Sequence, residues 1–129
     1  MKRLKFIAIL LAFLPIIAFS ADLYRPTGYE AITVDDTAGG KALTVAKYWT
    51  ASTSKVVSDF VVITVTGAVI NYTVDGTTVT SSVGTPALPY QEIVLSSFEE
   101  IKNFRAIRTG DTSASIKVKY YKFAGSRSL

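Results

Sequence analysis

The chain has 129 residues and a formal net charge of +4, and it contains neither Cys nor His. The absence of both residue types excludes disulfide scaffolds, thiol and imidazole catalysis, and the usual zinc sites. The length suits a single domain with one hydrophobic core.

Residues 1–20 are typical of a secretory signal peptide. A basic head precedes the apolar run Phe6–Phe19, which has 14 residues and is interrupted by Pro15. A bilayer span needs about 20 residues, so the pattern favours a cleaved signal, with an uncleaved anchor as the alternative. Small residues at Ala18 and Ser20 place the expected cut before Ala21.

This segment sets the expected domain boundaries and the location of the protein. We expect a signal-like helix over 1–20, a β-sandwich domain over 21–124 and a flexible tail over 125–129. The protein should then be exported to the periplasm or the extracellular space, and it should meet the membrane only transiently, through the signal segment.

Charge is distributed unevenly along the chain after the signal. Residues 22–100 hold 4 basic and 9 acidic side chains, whereas residues 101–129 hold 7 basic and 1 acidic side chain. The two parts either meet as neighbouring strands that partly neutralise each other or present a charged contact surface to a partner. Three basic residues belong to the head, so the overall charge does not indicate a nucleic-acid partner.

The first half of the domain shows short β-branched and aromatic runs separated by turn residues. These runs predict strands over Tyr29–Val34, Leu43–Trp49, Phe60–Val65 and Val69–Val74. Gly67 is placed to start a tight hairpin that returns the fourth run antiparallel to the third. Asp75 and Gly76 form a second strong turn signal, and residues 77–89 read as a loop with at most one short edge strand.

The second half continues this pattern. We predict a strand over Glu92–Leu95, and Ser97 is suited to cap a single helical turn. Ile101–Arg108 and Ser115–Phe123 form the last predicted pair, joined by a turn at Gly110. In the final strand Ile116, Val118 and Tyr120 share one face, which predicts a sheet with one buried and one exposed side.

About seven strands at this spacing predict an all-β fold made of one antiparallel β-sandwich of the immunoglobulin or jelly-roll kind. An antiparallel barrel is the alternative.

Several acidic side chains could form functional sites, but most have a structural explanation. Asp35 and Asp36 lie in a Gly-bearing loop but lack the spacing of a calcium loop. Glu99 and Glu100 are neighbours on a short turn, which does not predict two acids facing each other across a substrate. We therefore expect no catalytic residue, no cofactor and no metal.

The best candidates for binding are basic and aromatic residues. The final strand carries a possible interaction surface made of Lys117, Lys119, Tyr121 and Lys122, and expected export argues against nucleic acid as its ligand. Stacking platforms for sugars form a second group: Tyr24, Tyr29, Tyr48, Trp49 and Tyr90. Asn71 begins an N-glycosylation triplet, but it falls inside a predicted strand.

Segments of the second half resemble a family of small β-sandwich proteins found among tailed-phage structural genes. In those proteins a Tyr-Thr-x-Asp-Gly-Thr hairpin, a Phe-Arg-Ala-Ile strand and a closing strand that ends in Tyr-Tyr recur in this order. The matching segments here are Val69–Thr80, Ser82–Gly84, Phe104–Ile107 and Ser115–Tyr121. The resemblance implies a virion accessory component without catalytic residues.

The resulting hypothesis is a non-enzymatic structural or interaction module, namely a phage virion-associated protein of the head or tail. Its partners would be other virion proteins or further copies of itself. The same hairpin also resembles accessory domains of exported carbohydrate enzymes, so the alternative is an exported cell-surface or carbohydrate-binding module.

Overall fold

The computed structural model describes residues 23–125. The expected signal segment 1–20 and residues 126–129 of the expected tail lie outside the described residues. Within residues 23–125 the chain forms strands β1 (Tyr24–Val34), β2 (Trp49–Thr50), β3 (Lys55–Val56), β4 (Phe60–Thr66), β5 (Ile70–Thr73), β6 (Thr85–Ala87), β7 (Glu92–Leu95), β8 (Arg105–Arg108) and β9 (Ala114–Phe123). The helices are α1 (Val45–Tyr48), a 3-10 turn (Ala51–Thr53) and α2 (Phe98–Asn103).

The larger sheet is antiparallel and has the strand order β1-β9-β4-β7. The last strand within residues 23–125, β9, lies in the middle of it: Ile116 is opposite Ile32 of β1 on one side and opposite Val65 of β4 on the other. On the far side of β4, Ile63 is opposite Ile93 of β7. A register shift between Pro26 and Gly28 marks a bulge in β1.

The smaller sheet has the order β6-β5-β8, and β2 and β3 form a separate two-stranded ribbon. The predicted hairpin at Gly67 is therefore wrong, because β5 does not return along β4 but pairs with β6 and β8. The predicted last pair is wrong for the same reason: β8 pairs with β5, whereas β9 pairs with β1 and β4. At Gly67 and again at Gly110 the chain leaves one sheet for the other.

One hydrophobic cluster is shared by the two sheets and the helices. It contains the inward rows of β4, β7 and β9 together with Ile70 of β5, Ala87 of β6 and Ala106 of β8. Ile101 and Phe104 add side chains from α2 and its end, and both have no exposed surface. Apolar area removed from water in this cluster is the main stabilising contribution, since the chain has no disulfide.

Two predicted strands begin with helix instead. Leu43–Trp49 was predicted as a strand, but Val45–Tyr48 is helical, and burial in this stretch falls on Leu43 and Tyr48, which does not follow the alternation of a strand. Ile101 lies in α2, so the strand that was predicted to start there begins at Arg105. From these helices Tyr48 and Ile101 are buried in the core, and this packing overrides their β propensity.

Other predicted elements are confirmed. The strand over Glu92–Leu95 has the predicted bounds, β4 extends the predicted Phe60–Val65 by one residue, and β6 is the short edge strand in the loop. The helical turn begins at Ser97 as predicted, although α2 is six residues long.

Candidate interaction surface

The last strand has one buried and one exposed side. Ile116, Val118 and Tyr120 have no exposed surface, whereas Lys117 and Lys119 are exposed. The predicted alternation is therefore confirmed. Because β9 lies in the middle of the larger sheet, its exposed residues form the centre of a broad sheet face and not an edge.

Neighbouring strands extend this face with apolar side chains. Lys119 is opposite Tyr29 of β1 and Val62 of β4, and Val62 is opposite Val94 of β7. Tyr29 is 52% exposed and Val94 is 53% exposed. We call this side of the larger sheet the outer face; its apolar, aromatic and charged members are Tyr24, Tyr29, Phe60, Val62, Glu92, Val94, Lys117, Lys119, Tyr121 and Phe123.

An aromatic group occupies one end of the outer face. The rings of Tyr24 and Phe60 stack with centroids 5.1 Å apart, and Tyr24 meets Phe123 edge to face at 5.8 Å. Phe60 also contacts Tyr121 at 5.9 Å. Such ring pairs fix one another while leaving part of each ring in solvent, which suits a preorganised contact surface.

Lys122 does not belong to the outer face. Its ammonium donates to Asp59 Oδ1 at 3.1 Å and to the Val56 carbonyl at 3.1 Å. Arg108 makes a similar ion pair with Asp36 at 3.0 Å. These two contacts join the basic last part of the chain to its acidic first part, as the first of the two charge interpretations predicts. Lys117 and Lys119 take part in none of the ion pairs that the structure describes for residues 23–125.

The residues predicted as stacking platforms are separated into three places. Tyr24 and Tyr29 lie on the outer face, and Tyr90 is 84% exposed in the turn before β7. Tyr48 and Trp49 lie together and contact Phe98 of α2, with ring centroids 6.0 Å and 5.6 Å from that of Phe98. Phe98 was missed by sequence reasoning, although the Ser97 cap signal places it in the first helical turn.

A cluster of hydrogen bonds around the Glu30 carboxylate, which the sequence did not reveal, lies beneath α1. The Tyr120 hydroxyl donates to Glu30, and the backbone and hydroxyl of Thr44 donate to the same carboxylate at 3.1 Å and 2.5 Å. Burial, together with the neighbouring Glu30, raises the pKa of Tyr120 above its ordinary value. The cluster ties the chain before α1 to β1 and β9, which is a structural role.

The remaining candidate residues have structural roles in turns, loops and buried hydrogen bonds. Asp75 Oδ1 accepts from the Thr77 amide at 3.0 Å in the predicted turn, where Gly76 has a φ of +86°. Gly110 lies in the loop after β8 without a positive φ. Asn71 is buried and its amide donates to the carbonyls of Thr80 and Ser81.

Comparison with protein-family models, curated proteins and solved structures finds no match for this chain. Within residues 23–125, no cluster of three or more carboxylates is placed to hold a metal ion. None of the helices in this part of the chain has the length and apolar character needed to cross a bilayer.

Proposed function

We propose that this protein is a non-enzymatic structural module that assembles with other proteins through the outer face. The observation that carries the proposal is the concentration of half-exposed Tyr24, Tyr29 and Val94 on one sheet side, around two lysines that pair with no acid in residues 23–125. Clustered exposed apolar groups mark contact surfaces more often than isolated ones do. The lack of His and Cys in the sequence supports a binding role over a catalytic one.

We infer that the two sheets form a β-sandwich of the immunoglobulin or jelly-roll kind. The support is the single cluster to which strands of both sheets contribute, and the fact that the chain changes sheet after β4 and after β8. Crossings between sheets are typical of sandwiches, whereas an up-and-down barrel would join these strands by hairpins.

The partner is a protein surface with an acidic centre and apolar residues around it, because Lys117 and Lys119 lie at the centre of the outer face and its apolar side chains lie on the strands to either side. The resemblance to tailed-phage proteins makes a virion the proposed setting, with other virion proteins or further copies of the chain as partners. Capsid, portal or tail genes beside the gene for this protein would support that setting, and a cell-envelope operon would contradict it.

We also propose that residues 1–20 direct export of the protein, on the support of their basic head and short apolar run. Intact-mass measurement after expression of the full chain in a Gram-negative host tests it. A product that begins at Ala21 is expected, and a membrane-bound product that begins at Met1 would contradict export by cleavage.

Sedimentation velocity at low and high salt, with and without purified particles from the phage that encodes the protein, tests the outer face. Val94→Ser should weaken association, whereas Val83→Ser, which alters an equally apolar side chain that is 43% exposed on the loop before β6, should not. Lys119→Glu should weaken it and reduce its salt dependence, whereas Lys55→Glu on β3 should not. Two results would overturn the proposal. One is wild-type protein that stays monomeric and binds no particle. The other is that, in both pairs, the outer-face variant weakens association no more than its control variant does.

A further inference from the structure

A second surface, distinct from the outer face, is a cleft between α1, α2 and the start of β8. Its lining residues are Val45, Tyr48, Trp49, Phe98, Lys102 and Arg105, and its volume is about 470 Å³. Ligand sites in proteins commonly enclose about 300–1,000 Å³, so this cleft is large enough for a small molecule or one unit of a chain. We call it the aromatic cleft.

Three rings form the apolar part of the aromatic cleft. Tyr48 is 5% exposed and forms its floor, while Trp49 and Phe98 are half-buried and remain open to solvent on one side. The Trp49 and Phe98 rings are tilted at 53° to each other, so they do not cover one another's faces. A planar apolar group can therefore lie against an aromatic face here without displacing a core residue.

Two cations form the polar part. Lys102 is exposed on the last turn of α2, and Arg105 begins β8. The hydrogen bonds described for Arg105 use one terminal nitrogen, which donates to the carbonyls of Lys102 and Phe104. These bonds fix the guanidinium and leave its other donors for a ligand.

The lining residues carry no carboxylate to neutralise these cations. Glu30 acts electrostatically on Tyr48, but its two oxygens already accept from Thr44 and Tyr120. Lys102, Arg105 and the Trp49 indole can only donate hydrogen bonds. The ligand must therefore combine a flat apolar face with an acidic, acceptor-rich group.

We propose that the aromatic cleft binds a sugar acid, a pyranose that carries a carboxylate. The C–H face of the ring would lie on Trp49 or Phe98, and the carboxylate would pair with Arg105 in the bidentate geometry that guanidinium favours, with Lys102 as a second charge. Hydroxyl groups can accept from the indole N–H or remain in solvent, whereas a nucleobase would bring amino groups for which the lining side chains provide no charged acceptor. This site is separate from the protein assembly proposed above and does not depend on it.

Trp49 is the single tryptophan of the chain, so its fluorescence reports on this cleft directly. The probes are methyl glucuronide, methyl glucoside, phenylacetate and inorganic phosphate, each titrated into the wild-type protein. Methyl glucuronide should change the emission with saturation, and methyl glucoside should bind about tenfold more weakly or worse, because loss of a charged hydrogen-bonding group typically has an effect of this size.

Variants separate the site from a general effect of charge. Arg105→Gln should weaken glucuronide binding about tenfold, whereas Arg108→Gln, three residues further along β8 and paired with Asp36, should leave it unchanged. Lys102→Gln should give an intermediate loss, and far-UV circular dichroism checks that each variant is folded.

Other outcomes overturn the proposal. No saturable change with glucuronide rejects the site, and equal binding of the neutral glucoside rejects the role of the cations. Stronger binding of phenylacetate rejects a sugar as the ligand, and an equal response to phosphate shows an unspecific anion site only.

Discussion

Two adjacent glycines in the loop after β1 have the same backbone conformation but different surroundings. Gly39 and Gly40 have φ values of +82° and +79°. A Cβ added at Gly39 would meet nothing within 4 Å, whereas one at Gly40 would lie 2.5 Å from Val79 Cγ1 and 3.0 Å from the Ala106 carbonyl oxygen. Gly40 is close to the backbone of β8 because its neighbour Lys41 exchanges two hydrogen bonds with Ala106.

Substituting alanine at these two positions should separate the cost of a positive φ from the cost of a steric clash in the free energy of unfolding. Gly39→Ala should lower the free energy of unfolding by about 1–2 kcal/mol, the cost of a left-handed residue with a Cβ. Gly40→Ala should lower the free energy of unfolding by about 1–3 kcal/mol more than Gly39→Ala does, because Val79 and β8 must move. Urea denaturation of both variants measures this difference, and equal midpoints would contradict the close approach of this loop to β8.

Asp35, in the same loop, couples stability to acidic pH. Hydrogen bonds from the Thr37 hydroxyl and amide, with the Lys41 ammonium at 3.1 Å, hold the pKa of Asp35 at about 2, below its ordinary value of 3.8. The lowered pKa means that its contribution is complete above about pH 4 and is lost as the pH falls towards 2, where the folded state also takes up the proton.

Asp35→Asn should therefore reduce the loss of thermal stability between pH 5 and pH 2. Asp111→Asn removes the same charge from an exposed side chain in the loop after β8 and is the matched control. Melting temperatures of both variants and wild type across this range are the measurement. If the melting temperature of Asp35→Asn falls with pH as steeply as that of the wild type, the loop contacts of Asp35 are absent in solution.

At this scale the sequence was informative wherever a residue acts on its own neighbours. The turn at Asp75 and Gly76 was predictable because the side chain bonds two residues ahead. The need for glycine at position 40 was not, since it arises from Val79 and Ala106, which lie far along the chain. The same holds for Glu30, whose partner Tyr120 is 90 residues away.

Among the elements, α2 depends on a reciprocal cap. The Ser97 hydroxyl accepts from the Glu100 amide at 3.2 Å, and the Glu100 carboxylate accepts from the Ser96 amide at 2.8 Å. Ser97→Ala should lower the free energy of unfolding by about 1 kcal/mol, the usual value of an N-cap. Ser96→Ala should have a smaller effect, because its hydroxyl lies 3.4 Å from the carboxylate.

Chemical denaturation of the two serine variants measures this difference. Because α2 carries Phe98 and Lys102, fraying at Ser97 should also loosen the aromatic cleft. Equal stability of the two variants would mean that α2 is held by Ile101 in the core and not by its cap.

The existence of each strand was easier to predict from the sequence than the strands with which it pairs. Alternation in β4, β7 and β9 is a local property that follows from one buried face. Pairing is not local: Gly67 has the left-handed conformation expected of a hairpin residue, yet it sends the chain to the other sheet. The outer face was therefore only partly predictable. Lys117, Lys119 and Tyr121 belong to one strand and were predicted together. Tyr29, Val62 and Val94 lie beside them only because of the order of the strands in the sheet.

At the scale of the whole molecule, the shared core predicts one unfolding transition. Both sheets contribute to the same cluster, so neither should remain folded when the other is lost. Far-UV circular dichroism, which follows all strands, and Trp49 fluorescence, which follows the ribbon near α2, should give coincident urea curves. Separate midpoints would show that the ribbon and helices unfold before the larger sheet.

The position of β9 also governs when the protein can fold. β9 is the last of the described strands, yet it separates β1 from β4, and the Ala124 amide donates to the Leu23 carbonyl at 2.8 Å. During synthesis the edges of β1 and β4 that pair with β9 therefore stay open until β9 has left the ribosome, and β9 ends 89 residues after the end of β1 and 57 residues after the end of β4. We expect folding to be slow, since the pairing that completes the sheet joins strands at the two ends of the described domain.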